Sequence, residues 1–141
     1  MIYDPSNPVV QLCVKGIETE QCGDVEKADT LYRQAWEQAV SDVELFTAAH
    51  YLARTQKEPQ DELKWNLVAL AHADMVKDEQ LGPVYPSLFL NVAKSYEALG
   101  DAAQALLYYR KAQESAGALD DSGYGKMIRS GIAAGLQRVT P

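Results

Sequence analysis

The stretch that decides the fold is Phe89–Ala112, FLNVAKSYEALGDAAQALLYYRKA. Its apolar and small residues recur every three or four positions on both sides of Gly100-Asp101, which is the spacing of the buried face of an amphipathic helix. Glycine takes the left-handed conformation that ends a helix, and an aspartate side chain accepts the free N–H groups that open the next one. The stretch therefore predicts two short helices packed antiparallel as a helical hairpin.

The same corner, Gly23-Asp24, occurs near the N-terminus between VVQLCVKGIETEQ and VEKADTLYRQAWEQAV. Asn7-Pro8 precedes the first of these segments and offers a cap followed by a proline, a typical helix start. Six positions recur in the same order in the two stretches. They are Gly16, Gly23, Asp24, Ala28, Tyr32 and Ala35 in the first, and Ala93, Gly100, Asp101, Ala105, Tyr109 and Ala112 in the second. The chain thus contains an internal repeat of helical hairpins.

This order of small residue, Gly-Asp, alanine, aromatic and alanine, with the further aromatic Tyr96, resembles the tetratricopeptide repeat. The middle segment keeps the helical period but turns at residues 57–59, where Pro59 can open a helix. From Ala35 to Ala69 the spacing is 34 residues, the repeat length of that family. From Ala69 to Ala112 it is 43, and the surplus predicts an inserted loop at residues 77–87, which contain one glycine and two prolines.

The resemblance implies an all-α fold in one domain over residues 1–141: a tetratricopeptide-like right-handed superhelix of seven helices. We expect three helical hairpins, at about residues 8–40, 42–76 and 86–117, and a C-terminal capping helix at 120–139 that covers the last hairpin. The periodicity of the capping helix predicts an inner stripe. It consists of Tyr124, Met127, Ile128, Gly131, Ala134 and Leu136.

Composition limits the classes of function. The chain has 141 residues, 47% of them hydrophobic, which suits one folded domain. Its formal net charge of −7 repels the phosphates of nucleic acid. No apolar run approaches the roughly 20 residues of a membrane-spanning helix, and the first residues lack the regions of a secretory signal. We therefore expect a cytoplasmic protein that binds neither nucleic acid nor membranes. Cys13 and Cys22, on one predicted helix, are expected to be free thiols.

Tetratricopeptide proteins generally hold a peptide or a short helix of another protein in a groove lined by the first helix of each hairpin. The resemblance therefore implies a non-catalytic protein-binding or peptide-binding module, similar to the small stand-alone repeat proteins of bacteria. In this register eleven residues would line the groove: Val10, Cys13, Ile17, Glu20, Thr47, Tyr51, Arg54, Leu90, Asn91, Lys94 and Glu97. Ile17, Tyr51 and Leu90 would bury apolar groups of the guest. Arg54, Asn91 and Lys94 would fix its polar groups, and the resemblance also suggests that they bind a carboxylate. The alternative is that Arg54 and Lys94 are solvated surface charges.

His50 stands where the repeat expects a small residue. One interpretation is a core histidine held by Asp74, Glu62 or a backbone carbonyl. The alternative function is a small-molecule sensor or enzyme accessory protein with a pocket around His50, Arg54 and Tyr85. Tyr85 falls in the predicted loop, and binding residues are frequent in loops. The other histidine, His72, is expected to face solvent.

Motifs for catalysis and metal binding are missing from the sequence. Two cysteines and two histidines give no CxxC, HxxxH or HExxH spacing, and neither GxSxG nor a phosphate-binding loop is present. We therefore expect no catalytic activity, no metal and no cofactor. Self-association through the groove, as a homodimer, is a further alternative to binding a guest peptide.

Overall fold

The computed structural model of the protein describes residues 4–141. This part of the chain is all-helical and contains no strand, so the predicted all-α class and the number of helices are confirmed. The seven α-helices are α1 (Pro8–Gln21), α2 (Val25–Gln38), α3 (Asp42–Arg54), α4 (Pro59–Met75), α5 (Tyr85–Ala98), α6 (Ala102–Ser115) and α7 (Gly123–Val139). Two short 3-10 segments, Glu79–Val84 and Ala116–Ala118, lie before α5 and after α6.

The helices belong to two compact units, Met1–Asp78 and Glu79–Pro141. In the first unit α1 packs on α2 and α3 packs on α4, while α3 also contacts α1 and α2. In the second unit α5 packs on α6, and α7 contacts both of them. Adjacent helices therefore pack as the pairs that the sequence predicted.

The two Gly-Asp corners have the conformation that their residues favour. Gly23 and Gly100 have φ angles of +89° and +81°, where a side chain would be strained. The carboxylates of Asp24 and Asp101 accept hydrogen bonds from the backbone N–H groups of Lys27 and Gln104 and so cap the following helices. The corner prediction is therefore confirmed at both places.

The start of α3 is tied to the start of α1. The Ser41 hydroxyl accepts a hydrogen bond from the Glu44 backbone N–H, and Glu44 accepts one from the Ser41 N–H at 3.0 Å, which forms a capping box. The Asn7 side chain, which caps α1, donates to Glu44 at 2.9 Å. These bonds lower the pKa of Glu44 to about 2, with the bond from the Ser41 backbone as the largest cause.

Each unit has a tyrosine of its second helix at the centre of the core. Tyr32 and Tyr109 are fully buried, and alanines flank both of them on the same helix face. A Cβ atom at Gly16 would overlap the ring of Tyr32, and one at Gly135 would overlap the ring of Tyr109. Glycine is therefore required where these rings contact a neighbouring helix.

Two details of the predicted architecture are wrong. Residues 77–87 are not one loop, because residues 79–84 form a 3-10 segment and α5 already begins at Tyr85. Pro86 sits in the first turn of α5, where a missing N–H group costs nothing. In α7 the predicted inner residues Tyr124 and Met127 are 53% and 61% exposed. The buried face contains Ile128, as predicted, together with Gly125, Ile132 and Gly135.

Candidate functional site

In the first unit the carboxylate of Glu20, the guanidinium of Arg54 and the phenol of Tyr32 form one hydrogen-bonded group. Glu20 lies near the end of α1, and Arg54 is the last residue of α3. Arg54 donates from Nη2 to Glu20 Oε2 at 2.8 Å and from Nε to the same oxygen at 3.2 Å. The Tyr32 hydroxyl donates to Glu20 Oε1 at 2.9 Å. The hydrogen bond from Arg54 is the largest cause that lowers the pKa of Glu20.

An exposed aromatic surface adjoins this group. The ring of Tyr51 stacks on that of Tyr32 with centroids 5.5 Å apart, and Tyr51 is only half-buried. The Arg54 side chain is 54% exposed. Glu20 engages the edge of the guanidinium formed by Nε and Nη2, so the Nη1 edge is not used by this carboxylate. The face thus combines a fixed cation with an aromatic ring.

The second unit contains the same arrangement. Arg138 of α7 donates from Nε to Glu97 Oε2 at 2.8 Å, and the Tyr109 hydroxyl donates to Glu97 Oε1 at 2.7 Å. Arg138 Nη2 also reaches the Tyr109 hydroxyl at 3.3 Å. Burial is the largest cause that raises the pKa of Tyr109 to about 12, so the phenol stays protonated and keeps donating to Glu97.

The helices α5, α6 and α7 therefore repeat the roles of α1, α2 and α3. Glutamate and tyrosine are 12 residues apart in each unit, and the partner arginine comes from the next helix. Three residues before each arginine stands the residue that contacts the tyrosine ring, Tyr51 in α3 and Gly135 in α7. Sequence reasoning missed Arg138. The matched glutamates, Glu20 and Glu97, were the signal that could have found it.

The predicted groove residues fall into two groups. Three of the eleven have no surface to offer a guest: Cys13, Thr47 and Leu90 are 2%, 2% and 3% exposed. This corrects the expectation for Leu90, whose methyl groups lie against Gly131 of α7 in the core of the second unit. Burial also raises the pKa of the Cys13 thiol to about 12.

The other predicted binding residues remain at the surface of their own units. In the first unit Ile17 and Tyr51 are half-buried, and Arg54 is exposed but bound to Glu20. In the second unit Asn91 is half-buried and has an interaction partner. Lys94 is exposed and lines an open cavity of about 300 Å³ together with Glu97, Ala98 and Arg138. The structure thus brings Tyr51 to Arg54, and Lys94 to the Glu97–Arg138 pair.

His50 has an aromatic environment. Its ring centroid lies 5.0 Å from that of Tyr51 and 6.5 Å from that of Phe46. Its buried Nδ1 atom has no hydrogen-bond partner in the described part of the chain, in contrast to the expectation of a bonded core histidine. Burial, and to a lesser degree the charge of Arg54, lowers the pKa of His50 to about 4, so the imidazole is neutral at pH 7.

Tyr85 does not lie in a loop, and His72 does not face solvent. Tyr85 is in the first turn of α5, where its ring centroid is 5.7 Å from that of Phe89. The expectation that His72 faces solvent is wrong. Its Nδ1 atom is 2.9 Å from Asp42 Oδ1, and its ring packs against Trp36 at 6.1 Å.

Sequence reasoning also missed a cavity of about 400 Å³ in the first unit, between α2 and the turn from α3 to α4. It is lined by Val25, Glu26, Asp29, Arg33, Thr55, Gln56, Lys57, Glu58 and Asp61. Asp29 in its wall accepts from Arg33 Nε and Thr55 Oγ1, both at 2.7 Å, so this carboxylate is already satisfied by the protein. None of the predicted groove residues lines the cavity.

Comparison of the chain with models of protein families, with curated proteins and with solved structures finds no match. Function therefore has to be inferred from the side chains themselves. Within residues 4–141, no group of three or more His, Cys, Asp or Glu side chains is arranged to hold a metal ion. No helix in that range is both long enough and apolar enough to cross a membrane.

Proposed function

We propose that the protein is a non-catalytic peptide-binding module with a tetratricopeptide-like superhelical arrangement of its hairpins. The observation that carries this proposal is the half-exposed arginine that a glutamate and a tyrosine hold in the same way in each unit. Arg54 is 54% and Arg138 51% exposed, and each accompanies a residue of a predicted groove, Tyr51 or Lys94. Peptide-binding faces usually combine hydrogen-bond donors in fixed positions with adjacent apolar surface.

The bound state needs little reorganisation of these arginines. A guanidinium is planar, and its carboxylate partner already fixes its orientation, so little side-chain entropy is lost when a guest arrives. The pair with glutamate is neutral as a whole. A guest carboxylate would have to compete with Glu20 for Arg54, whereas a backbone carbonyl accepts from the unused Nη1 edge without displacing it. We therefore propose peptide main chain as the group recognised by Arg54, with Tyr51 covering an apolar side chain.

The test is affinity capture of partners by the full chain and by two double variants. Arg54→Ala with Lys94→Ala removes one arginine and one lysine from the proposed faces. Arg33→Ala with Lys57→Ala removes the same charges from the walls of the 400 Å³ cavity. We expect the first variant to lose its partner and the second to keep it, with cooperative thermal unfolding in both, because the ion pairs that are lost are at least partly exposed and contribute about 0–1 kcal/mol each.

Two outcomes would overturn the proposal. Capture that survives the first double variant would show that these faces do not bind the partner. Capture lost in the second variant and kept in the first would transfer the site to the cavity. A cytoplasmic location and similarity to stand-alone bacterial repeat proteins stay predictions that accompany this function. A homodimer would appear as a mass that rises with concentration in light scattering.

A small-molecule sensor is the second candidate, and the buried Nδ1 atom of His50 favours it. An unsatisfied buried polar atom costs about 1–3 kcal/mol, which a hydrogen bond to a ligand would recover. A screen of metabolites by thermal shift, repeated with His50→Phe, tests this function. A ligand that raises the melting temperature of the native chain and not of the variant supports the sensor, and the absence of any such ligand opposes it.

A further inference from the structure

The outer face of α7 differs from that of its counterpart α3. When α7 and α3 are aligned at Arg138 and Arg54, three positions of α7 can be compared with their counterparts in α3. They are Ser130, Ala133 and Gln137, which correspond to Phe46, Ala49 and Ala53. The three residues of α3 are buried, and α4 is the helix that packs most closely on α3. The three residues of α7 are exposed, and no helix of residues 79–141 covers them. The second unit thus lacks a helix in the position that α4 has in the first.

A cavity marks the place where such a helix would insert a side chain. It measures about 220 Å³ and is lined by Gln113, Ala116, Arg129, Ile132 and Ala133. Counted from the Gly-Asp corners, Gln113 corresponds to Trp36. In the first unit the indole of Trp36 packs edge-on against that of Trp65 from α4, with centroids 5.0 Å apart. The volume lies below the roughly 300 Å³ of pockets for drug-sized ligands and suits a single aromatic side chain.

The same face of α7 also differs in charge from that of α3, and this difference indicates which charge a helix bound there would carry. In the first unit Asp42 of α3 pairs with His72 of α4 at 2.9 Å. The counterpart of Asp42 is Lys126, which is exposed. Residues 123–139 contain three basic side chains and no acidic one. A helix in the position of α4 would therefore place a carboxylate favourably where His72 stands, two turns after Trp65 on the same helix face.

We propose that this end surface, formed by Gln113, Ala116, Lys126, Arg129 and Ala133, binds an amphipathic helix of another protein. The helix presents an aromatic side chain to the cavity and a carboxylate to Lys126 two turns later. This surface contains none of the residues assigned to peptide binding above, so it is a second and independent interaction site. The aromatic group supplies most of the binding energy, because a buried anchor at the centre of an interface dominates affinity, while the charge pair fixes the register.

The probe is a fluorescein-labelled peptide with the sequence of residues 59–75 and the change His72→Glu, titrated with the full chain by fluorescence anisotropy. We expect saturable binding that Trp65→Ala in the peptide weakens by about tenfold or more. In the protein, Ala133→Glu places a larger, charged side chain in the cavity wall, at the position whose counterpart Ala49 is fully buried in the first unit, and should weaken binding to a similar degree. Lys126→Glu should weaken it too, and a peptide with His72→Lys should restore binding to that variant.

The substituted residues Ala133 and Lys126 are exposed, so both variants are expected to fold, and their circular dichroism checks this. The variant Arg54→Ala with Lys94→Ala should bind the peptide like the native chain, which separates this site from the proposed groove. Absence of saturable binding up to about 1 mM, an affinity of only about 4 kcal/mol, would overturn the proposal. Binding that neither Ala133→Glu nor Lys126→Glu affects would overturn it as well. Self-association abolished by both variants would identify a second copy as the occupant instead.

Discussion

Replacing Gly135 by alanine should destabilise the protein, although alanine is the better helix former. In a helix interior the change from glycine gains about 1 kcal/mol. Against this, the new Cβ would overlap the ring of Tyr109, a fully buried side chain with no room to retreat. Overpacking of this kind costs about 1–3 kcal/mol.

Movement of the ring carries a second cost. The Tyr109 hydroxyl donates to Glu97 at 2.7 Å, and a hydrogen bond to a charged group contributes about 1.5–3 kcal/mol. The Glu97 side chain is 29% exposed, so water replaces part of a lost bond and the lower end of that range applies. Together with the gain in helix propensity, these terms predict a net loss of about 1.5–3.5 kcal/mol in the free energy of unfolding for Gly135→Ala.

The matched control is Gly131→Ala, one turn earlier in α7. There the new Cβ would lie 3.2 Å from Leu90 Cδ2, the end of a flexible side chain that yields by a few tenths of an ångström. The gain in helix propensity then offsets the contact, and stability should stay within about 1 kcal/mol of the native chain. Urea denaturation followed by circular dichroism measures both variants. Equal stability of the two, or a Gly135→Ala variant as stable as the native chain, would refute the packing argument.

Two further predictions concern local conformation and pH. Gly100→Ala should cost about 1–2 kcal/mol in urea denaturation because φ is +81° there, and a Gly117→Ala variant that costs as much would contradict this reason. The pKa of Glu44 is lowered from a usual 4.5 to about 2 in the folded state. The charged carboxylate therefore contributes fully to stability above pH 4.5, and this contribution is lost as the pH falls toward 2. The stability difference between the native chain and Glu44→Gln should therefore shrink over that range, and a constant difference would oppose the assignment.

The parts of the fold that could be predicted are those that local chemistry determines. A glycine with positive φ followed by a capping aspartate ends one helix and starts the next whatever surrounds them, so the corners at Gly23 and Gly100 followed from the sequence. Pro59 opened α4 for a similar reason, since proline is favourable in a first turn. Pro86 shows the limit of this reasoning, because a proline fits the start of a helix and a loop equally well.

The parts that failed depend on contacts between helices. In α7 the buried face includes Gly125 and Gly135, which carry no apolar side chain and so are invisible to a hydrophobic pattern. The hydrophobic pattern places Tyr124 and Met127 on the inner face, whereas both are exposed. For the same reason Arg138 was overlooked as the counterpart of Arg54. A pairing between helices far apart in sequence becomes visible only once the rotation of each helix is known.

The group of tyrosine, glutamate and arginine recurs in both units, but the tyrosine ring is packed differently in each. In the first unit glycine stands on α1, at Gly16, and the ring of Tyr32 has Tyr51 of α3 on its other side. In the second unit the glycine is Gly135 of α7, the counterpart of Tyr51, so the close approach comes from the other neighbour. Yet both hydroxyls reach their glutamates, at 2.9 and 2.7 Å.

Each glutamate in turn binds an arginine at 2.8 Å. A core needs only a filled volume, and apolar groups would provide that without the cost of desolvating a phenol. The geometry that both units share is therefore the one that orients a half-exposed guanidinium. For this reason the proposed peptide binding rests on the arginines rather than on the buried tyrosines that support them.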